Sequence, residues 1–302
     1  MSRSKKTGIF FAILAAALYA ISTPLSKILL DYMPSTLIAG FLYIGAGIGM
    51  GGIAIVQKAK KKQQIEARLT WLEFPYTIAM IVLDIIAPIC LLLGLKFTTA
   101  ASASLLNNFE IVTTALIASV IFKERITHRL WIGIIFITLS CALLSLEDIS
   151  SIRFSYGSCF ILLACICWGF ENNCTRKISS KNPLQIVLLK GIFSGIGSIL
   201  IGLCIGERIT FFWSIFVVMI VGFISYGLSI FFYVYAQRLL GAARTSAYYA
   251  IAPFIGTFVS LIIFCELPHF TYFMSLGFMG IGAWLCSKDE PIFKRRVRKT
   301  KN

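Results

Sequence analysis

The sequence predicts an all-α integral membrane protein: ten transmembrane helices in two inverted five-helix repeats, with N- and C-termini cytoplasmic. Three observations carry that expectation, namely composition, the placement of positive charge and an internal copy. Of 302 residues, 58% are hydrophobic and 14% charged, against about 25% charged in soluble domains. A membrane span needs about 20 mostly apolar residues, and the breaks in hydropathy allow ten such stretches. With the N-terminus inside, 23 of the 28 Lys and Arg residues fall in cytoplasmic segments, the bias that sets orientation.

Span 1, Gly8–Leu30, follows Arg3, Lys5 and Lys6. Its apolar run outlasts the roughly 7–15 residues of a cleaved signal peptide, so the span is expected to be retained. Span 2, Ser35–Val56, runs into the basic loop Gln57–Thr70. Span 3, Glu73–Leu95, contains Asp84 and Pro88, and span 4, Ala100–Phe122, contains Asn107 and Glu110. Span 5, Arg129–Leu146, leads into the connection Glu147–Ser155. Span 6, Phe154–Thr175, bears Trp168 and Glu171 and is followed by Arg176, Lys177 and Lys181. Span 7, Leu184–Ile205, bears Lys190; span 8 is Phe211–Ala236; span 9, Thr245–Cys265, carries Tyr248, Tyr249 and Pro253; span 10 is Thr271–Ser287. The opposite face holds only Lys27, Lys96, Arg153 and Arg208.

The copy is found by offset. Moving 142 residues along from Gly94–Glu124 gives Ala236–Glu266, which sets Lys96 on Arg238, Ser104 on Ser246, Phe122 on Phe264 and Glu124 on Glu266. At an offset of 149, Tyr19 meets Trp168, Lys27 meets Arg176 and Pro34 meets Pro183. The offset changes at the basic loop after span 2, where a length difference is tolerated. The expected units are therefore residues 1–150, residues 151–287 and a basic cytoplasmic tail over 288–302. Because five is odd, the second unit enters from the opposite face. Inverted repeats of this kind are frequent in secondary transporters, whose substrate sites lie near the midplane between the repeats.

The net charge of +15 does not point to nucleic acid, because it lies in loops and in the tail, where anionic lipid headgroups are the natural partner. The nine cysteines are scattered without a CxxC pair and there are two histidines, so neither a redox centre nor a metal site is expected. With no Walker A motif, ATP is not the expected energy source. Asn173-Cys174-Thr175 reads as a glycosylation sequon, but at the cytoplasmic end of span 6 it should stay unmodified.

Ten short spans, two five-span copies, the Cys167-Trp168-Gly169 signature and the matching ends Phe122-Lys123-Glu124 and Phe264-Cys265-Glu266 resemble the drug/metabolite transporter superfamily, EamA type. The first copy departs from the signature with Leu18-Tyr19-Ala20, and Asn107-Asn108-Phe109-Glu110 is unusually polar for its position. The resemblance implies transport, preferably export, of a small polar metabolite through the cell membrane. It also implies a central cavity lined by the first, third and fourth spans of each copy.

A charge in the hydrocarbon core costs on the order of 2.5–3.5 kcal/mol and is a functional candidate by default. Asp84, Glu110, Glu171 and Lys190 qualify. Asn107, Glu110 and Thr114 follow i, i+3, i+7 spacing and so form one polar stripe, expected to face the bundle interior. Trp168 and Thr175 flank Glu171 at helical spacing, an arrangement that can hold a cationic group. Tyr248 and Tyr249 are candidate cavity walls, and Pro24, Pro88 and Pro253 candidate breaks or kinks. Three acids against one base favour an amino acid or a cationic substrate, or a proton carried by Glu110 or Glu171. The simpler alternative is a structural ion pair through Lys190, with Asp84 bonded to backbone freed by Pro88. Gly45, Gly47, Gly49 and Gly51 in span 2 and Gly191 and Gly195 in span 7 fit close helix contacts, between halves or between two copies of a homodimer. No cofactor is expected. The rival classes are an intramembrane acyl or glycosyl transferase and a scaffold without a cavity.

Overall fold

The computed structural model describes residues 3–59, 67, 69–121, 127–148, 153–179, 181–240, 245, 248–249, 251–265 and 270–287. The rest of the basic loop after span 2, the Phe122-Lys123-Glu124 end of span 4, Glu266 and the basic tail from Lys288 lie outside the described residues.

Span 1 is two helices, Arg3–Ala20 and Ser22–Leu29, and span 2 is Ser35–Ala59. Span 3, Phe74–Lys96, follows a 3₁₀ turn at Trp71–Glu73; span 4 is again two helices, Ala100–Leu106 and Phe109–Val120; span 5 is His128–Ser145. Span 6 is Tyr156–Ile178. Span 7 runs through Pro183–Leu189, a π-helical turn Lys190–Ser194 and Gly195–Cys204; span 8 through Phe212–Gly222, a π-helical turn Phe223–Leu228 and Ser229–Leu240. Span 9 contains Ala252–Phe264, and span 10 is Phe270–Ser287. Among the described residues, six stretches are long and apolar enough to cross a membrane, while Trp131–Leu143, Ala252–Phe264 and Phe270–Leu285 are apolar but shorter. Tyr156–Ile178 has the length, 23 residues, but carries the polar run Glu171-Asn172-Asn173.

In the connection between the halves, Leu146–Asp148 pairs antiparallel with Arg153–Phe154. One expectation needs correction. Pro88 does not break span 3, which stays one helix from Phe74 to Lys96. The helical hydrogen bonding is interrupted instead for one or two residues at Ile21, at Asn107-Asn108 and at Ile251, where the backbone keeps right-handed helical dihedrals.

Helix ends follow local chemistry. Thr99 and Asn182 accept from the amides of Ser102 and Leu184 at 3.1 and 2.9 Å, satisfying first-turn donors. Span 7 stops at Gly206, whose φ of +83° favours glycine. Trp71, Tyr156, Phe212, Trp213 and Phe270 are exposed at the starts of spans 3, 6, 8 and 10, where membrane interfaces favour aromatic rings.

The two halves interlock through equivalent contacts. Span 3 packs along span 6, span 8 along span 1, and span 5 along span 10. At one face Glu207, from the loop before span 8, accepts from the amides of Thr36 and Leu37 at the start of span 2, at 3.3 and 3.0 Å. At the other, Ala67 and Leu69, from the loop before span 3, pair with Asn182 and Gln185 at the start of span 7, at 3.0 and 3.1 Å. Lys181 adds an ion pair to Glu73 at 3.1 Å. Each loop thus meets the start of its counterpart's neighbour, as inverted repeats require.

The glycines sit between the halves. A Cβ on Gly47 would lie 2.8 Å from the Ile192 amide, one on Gly45 2.1 Å from the Met219 carbonyl, and one on Gly222 2.0 Å from the Leu42 carbonyl. Span 2 therefore packs backbone to backbone on spans 7 and 8, so these glycines serve a contact within one chain and not a homodimer face. Gly222→Ala should lower stability by about 1–3 kcal/mol through overpacking. Gly52→Ala, with nothing within 4 Å of the new methyl, should be neutral or slightly stabilising. Thermal unfolding of the full chain in detergent checks both.

Candidate functional site

At mid-depth the helices carry charge on span 3, span 4, span 6 and span 7. The π-helical turn at Lys190 follows directly on Leu189, and Gly191 lets span 2 come close: a Cβ there would meet the Gly47 amide at 2.3 Å and the Tyr43 carbonyl at 2.8 Å. That approach brings Lys190 and Tyr43 to the same acid. The Lys190 ammonium lies 3.1 Å from Asp84 Oδ2 and 2.6 Å from Glu171 Oε1. The Tyr43 hydroxyl donates to Asp84 Oδ1 at 2.9 Å, and the Thr175 hydroxyl donates to Glu171 Oε1. Asp84, Glu171 and Lys190 are 1%, 4% and 3% exposed, so water screens none of them. One base holding two acids leaves the trio with an excess of one carboxylate. It also joins the halves, because Asp84 belongs to the first and the other two to the second.

Glu110 stands apart from Lys190's ion pairs. Its Oε1 accepts from Asn172 Nδ2 at 2.5 Å, and the same amide reaches the Thr114 hydroxyl at 3.4 Å. Close approach of the helices makes this contact possible: a Cβ on Gly169 would lie 2.4 Å from Thr113 Oγ1, and the Thr113 hydroxyl donates to the Cys165 carbonyl at 2.7 Å. Asn173 is spent nearby, donating to the Gly169 and Thr114 carbonyls at 2.8 and 3.1 Å. Trp168 is 6% exposed and lies in the main apolar core.

Span 4 tightens at Asn107-Asn108, where the backbone stays right-handed helical and the Glu110 amide donates to the Asn107 carbonyl at 3.1 Å. Asn107 lines a small cavity with Tyr19, Ala20, Thr23, Ser104, Ala252, Pro253 and Gly256. Tyr249 turns towards it, its ring 5.9 Å from Tyr19 and 4.8 Å from Tyr233. Tyr248 is 37% exposed and is not brought to this group. Tyr226 links the two centres, its ring 5.8 Å from Tyr19 and 5.1 Å from Tyr43. The suggested role of Asp84 is also corrected: its carboxylate meets Tyr43 and Lys190, not backbone freed by Pro88.

A model of the EamA-like transporter family matches residues 6–146 and again 155–288. The chain belongs to the EamA-like transporter family. It is 27% identical over 275 residues to an "Uncharacterized transporter" of Methanothermobacter thermautotrophicus, covering 86% of this chain and 80% of that one. It is 22% identical over 184 residues to "Uncharacterized transporter YyaM" of Bacillus subtilis, covering 56% and 59% of the two chains. A crystal structure 16% identical in sequence superposes with a TM-score of 0.65, over 100% of this chain and 99% of that one, so the fold is shared. The match to two copies of the family's unit agrees with the repeat read by offset. It is a transporter family and not an enzyme family.

Four residues were not singled out from sequence: Asn172, Tyr43, Tyr226 and Tyr19. Tyr19 had a signal, since it is the repeat partner of Trp168. The others had none, because their roles come from helices distant in sequence. Lys190→Met should destabilise the protein by about 3–5 kcal/mol, the cost of stranding buried acids. Adding Asp84→Asn and Glu171→Gln should recover much of that loss. Thermal unfolding of the single and triple variants measures both.

Proposed function

We propose that this EamA-family protein is a secondary transporter of the cell membrane. It moves a small polar metabolite, an amino acid or a cationic compound, outward by alternating access around the mid-depth polar group. Asp84, Glu110 and Glu171 against the single Lys190 supply the supporting observation. A buried excess of acid suits a cation, the ammonium of a zwitterion or a proton. Glu110 and Glu171 with Trp168, Tyr249 and Asn107 form the substrate-binding wall, and Asp84 and Lys190 tie the halves across it. The outward direction rests on family resemblance. The small cavity described above is lined by Asn107 and not by Glu110, Glu171 or Trp168.

A non-transporting scaffold could bury the same polar group. Counterflow in proteoliposomes separates the two, using labelled zwitterionic amino acids and cationic amines. A charge-assisted contact contributes about 1.5–3 kcal/mol, so Glu110→Gln or Glu171→Gln should weaken uptake about 10- to 100-fold. Wild-type rates with unchanged pH dependence in both variants would sink the assignment of these acids. Counterflow of no member of the panel would favour the scaffold.

A further inference from the structure

Three helix breaks meet at one cavity. Span 1 breaks after Ala20, span 4 at Asn107-Asn108 and span 9 before Ala252, and residues at all three line the cavity. Spans 1 and 4 bring oxygen atoms to it. Pro24 stands four residues after Ala20 and has no N–H to return to its carbonyl. Ser104 Oγ and Asn107 Oδ1 have no hydrogen-bond partner in the protein, although the two residues are only 2% and 6% exposed. Thr23, 4% exposed, adds a hydroxyl to the lining. Gly256 closes the space, since a Cβ there would lie 2.9 Å from the Ala20 carbonyl and 3.1 Å from Ser104 Oγ.

We propose that this cavity is a Na⁺ site, held by the Ala20 carbonyl, the Thr23 and Ser104 hydroxyls and the Asn107 side-chain carbonyl. All four are hard oxygen donors, suited to a hard cation. None is a carboxylate, which disfavours the divalent ions that depend on them. The space, about 10 Å³, accepts one particle of about the size of a water. Carbonyls freed from helical hydrogen bonding are a usual means of coordinating small cations at membrane depth. Binding of the ion stands apart from the transport reading; only its use as a coupling ion rests on that reading.

Thermal unfolding of the full chain in detergent should show a saturable rise in melting temperature in NaCl over N-methyl-D-glucamine chloride at equal ionic strength, since a ligand of the native state stabilises it. Asn107→Ala, Ser104→Ala and Gly256→Ala should each abolish that Na⁺-dependent rise. Equal melting temperatures in the two salts, or an undiminished rise in Asn107→Ala, would overturn the site and leave a cavity that holds water only. Where a variant fails to fold, saturable binding of ²²Na⁺ to the wild-type protein, displaced by unlabelled Na⁺, supports the site, and its absence overturns it. Substrate counterflow that persists undiminished without Na⁺ would remove the coupling role and leave the transporter reading intact.

Discussion

The ammonium of Lys190 between Asp84 and Glu171 is the interaction on which the rest of the arrangement depends. A lone charge at this depth is costly, so the three groups must be delivered to one point from spans 3, 6 and 7. Delivery requires backbones to touch. Gly47 and Gly191 remove the side chains that would hold spans 2 and 7 apart, and that contact carries Tyr43 to Asp84. The π-helical turn beginning at Lys190 falls where the helix must aim a long side chain inward, as such turns often do at functional positions. Glycine seam, π turn and ion pairs are therefore one construction.

A second constraint shapes the other end of the polar region. In a bilayer the backbone must satisfy its own hydrogen bonds, and irregular chain is tolerated only where protein or a polar cavity receives it. The breaks in spans 1, 4 and 9 obey this by meeting one another. Their meeting point is also where the repeats differ most. Asn107 and Glu110 of the first copy correspond to Tyr249 and Ala252 of the second, and Asn107 and Ala252 line the same cavity. Repeated segments thus present unequal chemistry to a shared space.

The spans, their order and the repeat were legible because hydropathy and charge placement act residue by residue. Helix continuity was not. Pro24 and Pro88 look alike in sequence, yet span 1 breaks before the first and span 3 runs through the second. The difference lies in the neighbours, since span 1 breaks beside Ser104 and Gly256 whereas Pro88 sits in a helix packed along span 6. The charged residues were legible as candidates, but partner choice was not. Glu110 and Glu171 look equally able to meet Lys190. The break at Asn107-Asn108 and the Gly169–Thr113 contact deliver Glu110 to Asn172 instead, and neither is visible in a periodic pattern. Thr175, one turn from Glu171, was correctly placed because a continuous helix fixes that neighbour by spacing alone.

The inverted repeat also explains why the two faces are not closed alike. Equivalent loops meet equivalent helix starts, but the chemistry of the two ties differs. At the start of span 2, a carboxylate from Glu207 receives two backbone amides, and bonds to an ionised acceptor are roughly twice as strong as neutral ones. At the start of span 7, the equivalent tie is a neutral backbone pair and a side-chain amide, with the Glu73–Lys181 ion pair beside it. That pair is only 19% and 17% exposed, so water screens it in part. A symmetric backbone therefore carries closures of different chemistry, a carboxylate on two backbone amides at one face and neutral hydrogen bonds beside an ion pair at the other. Moving the halves apart would have to part both, with Lys190 holding the halves together between them.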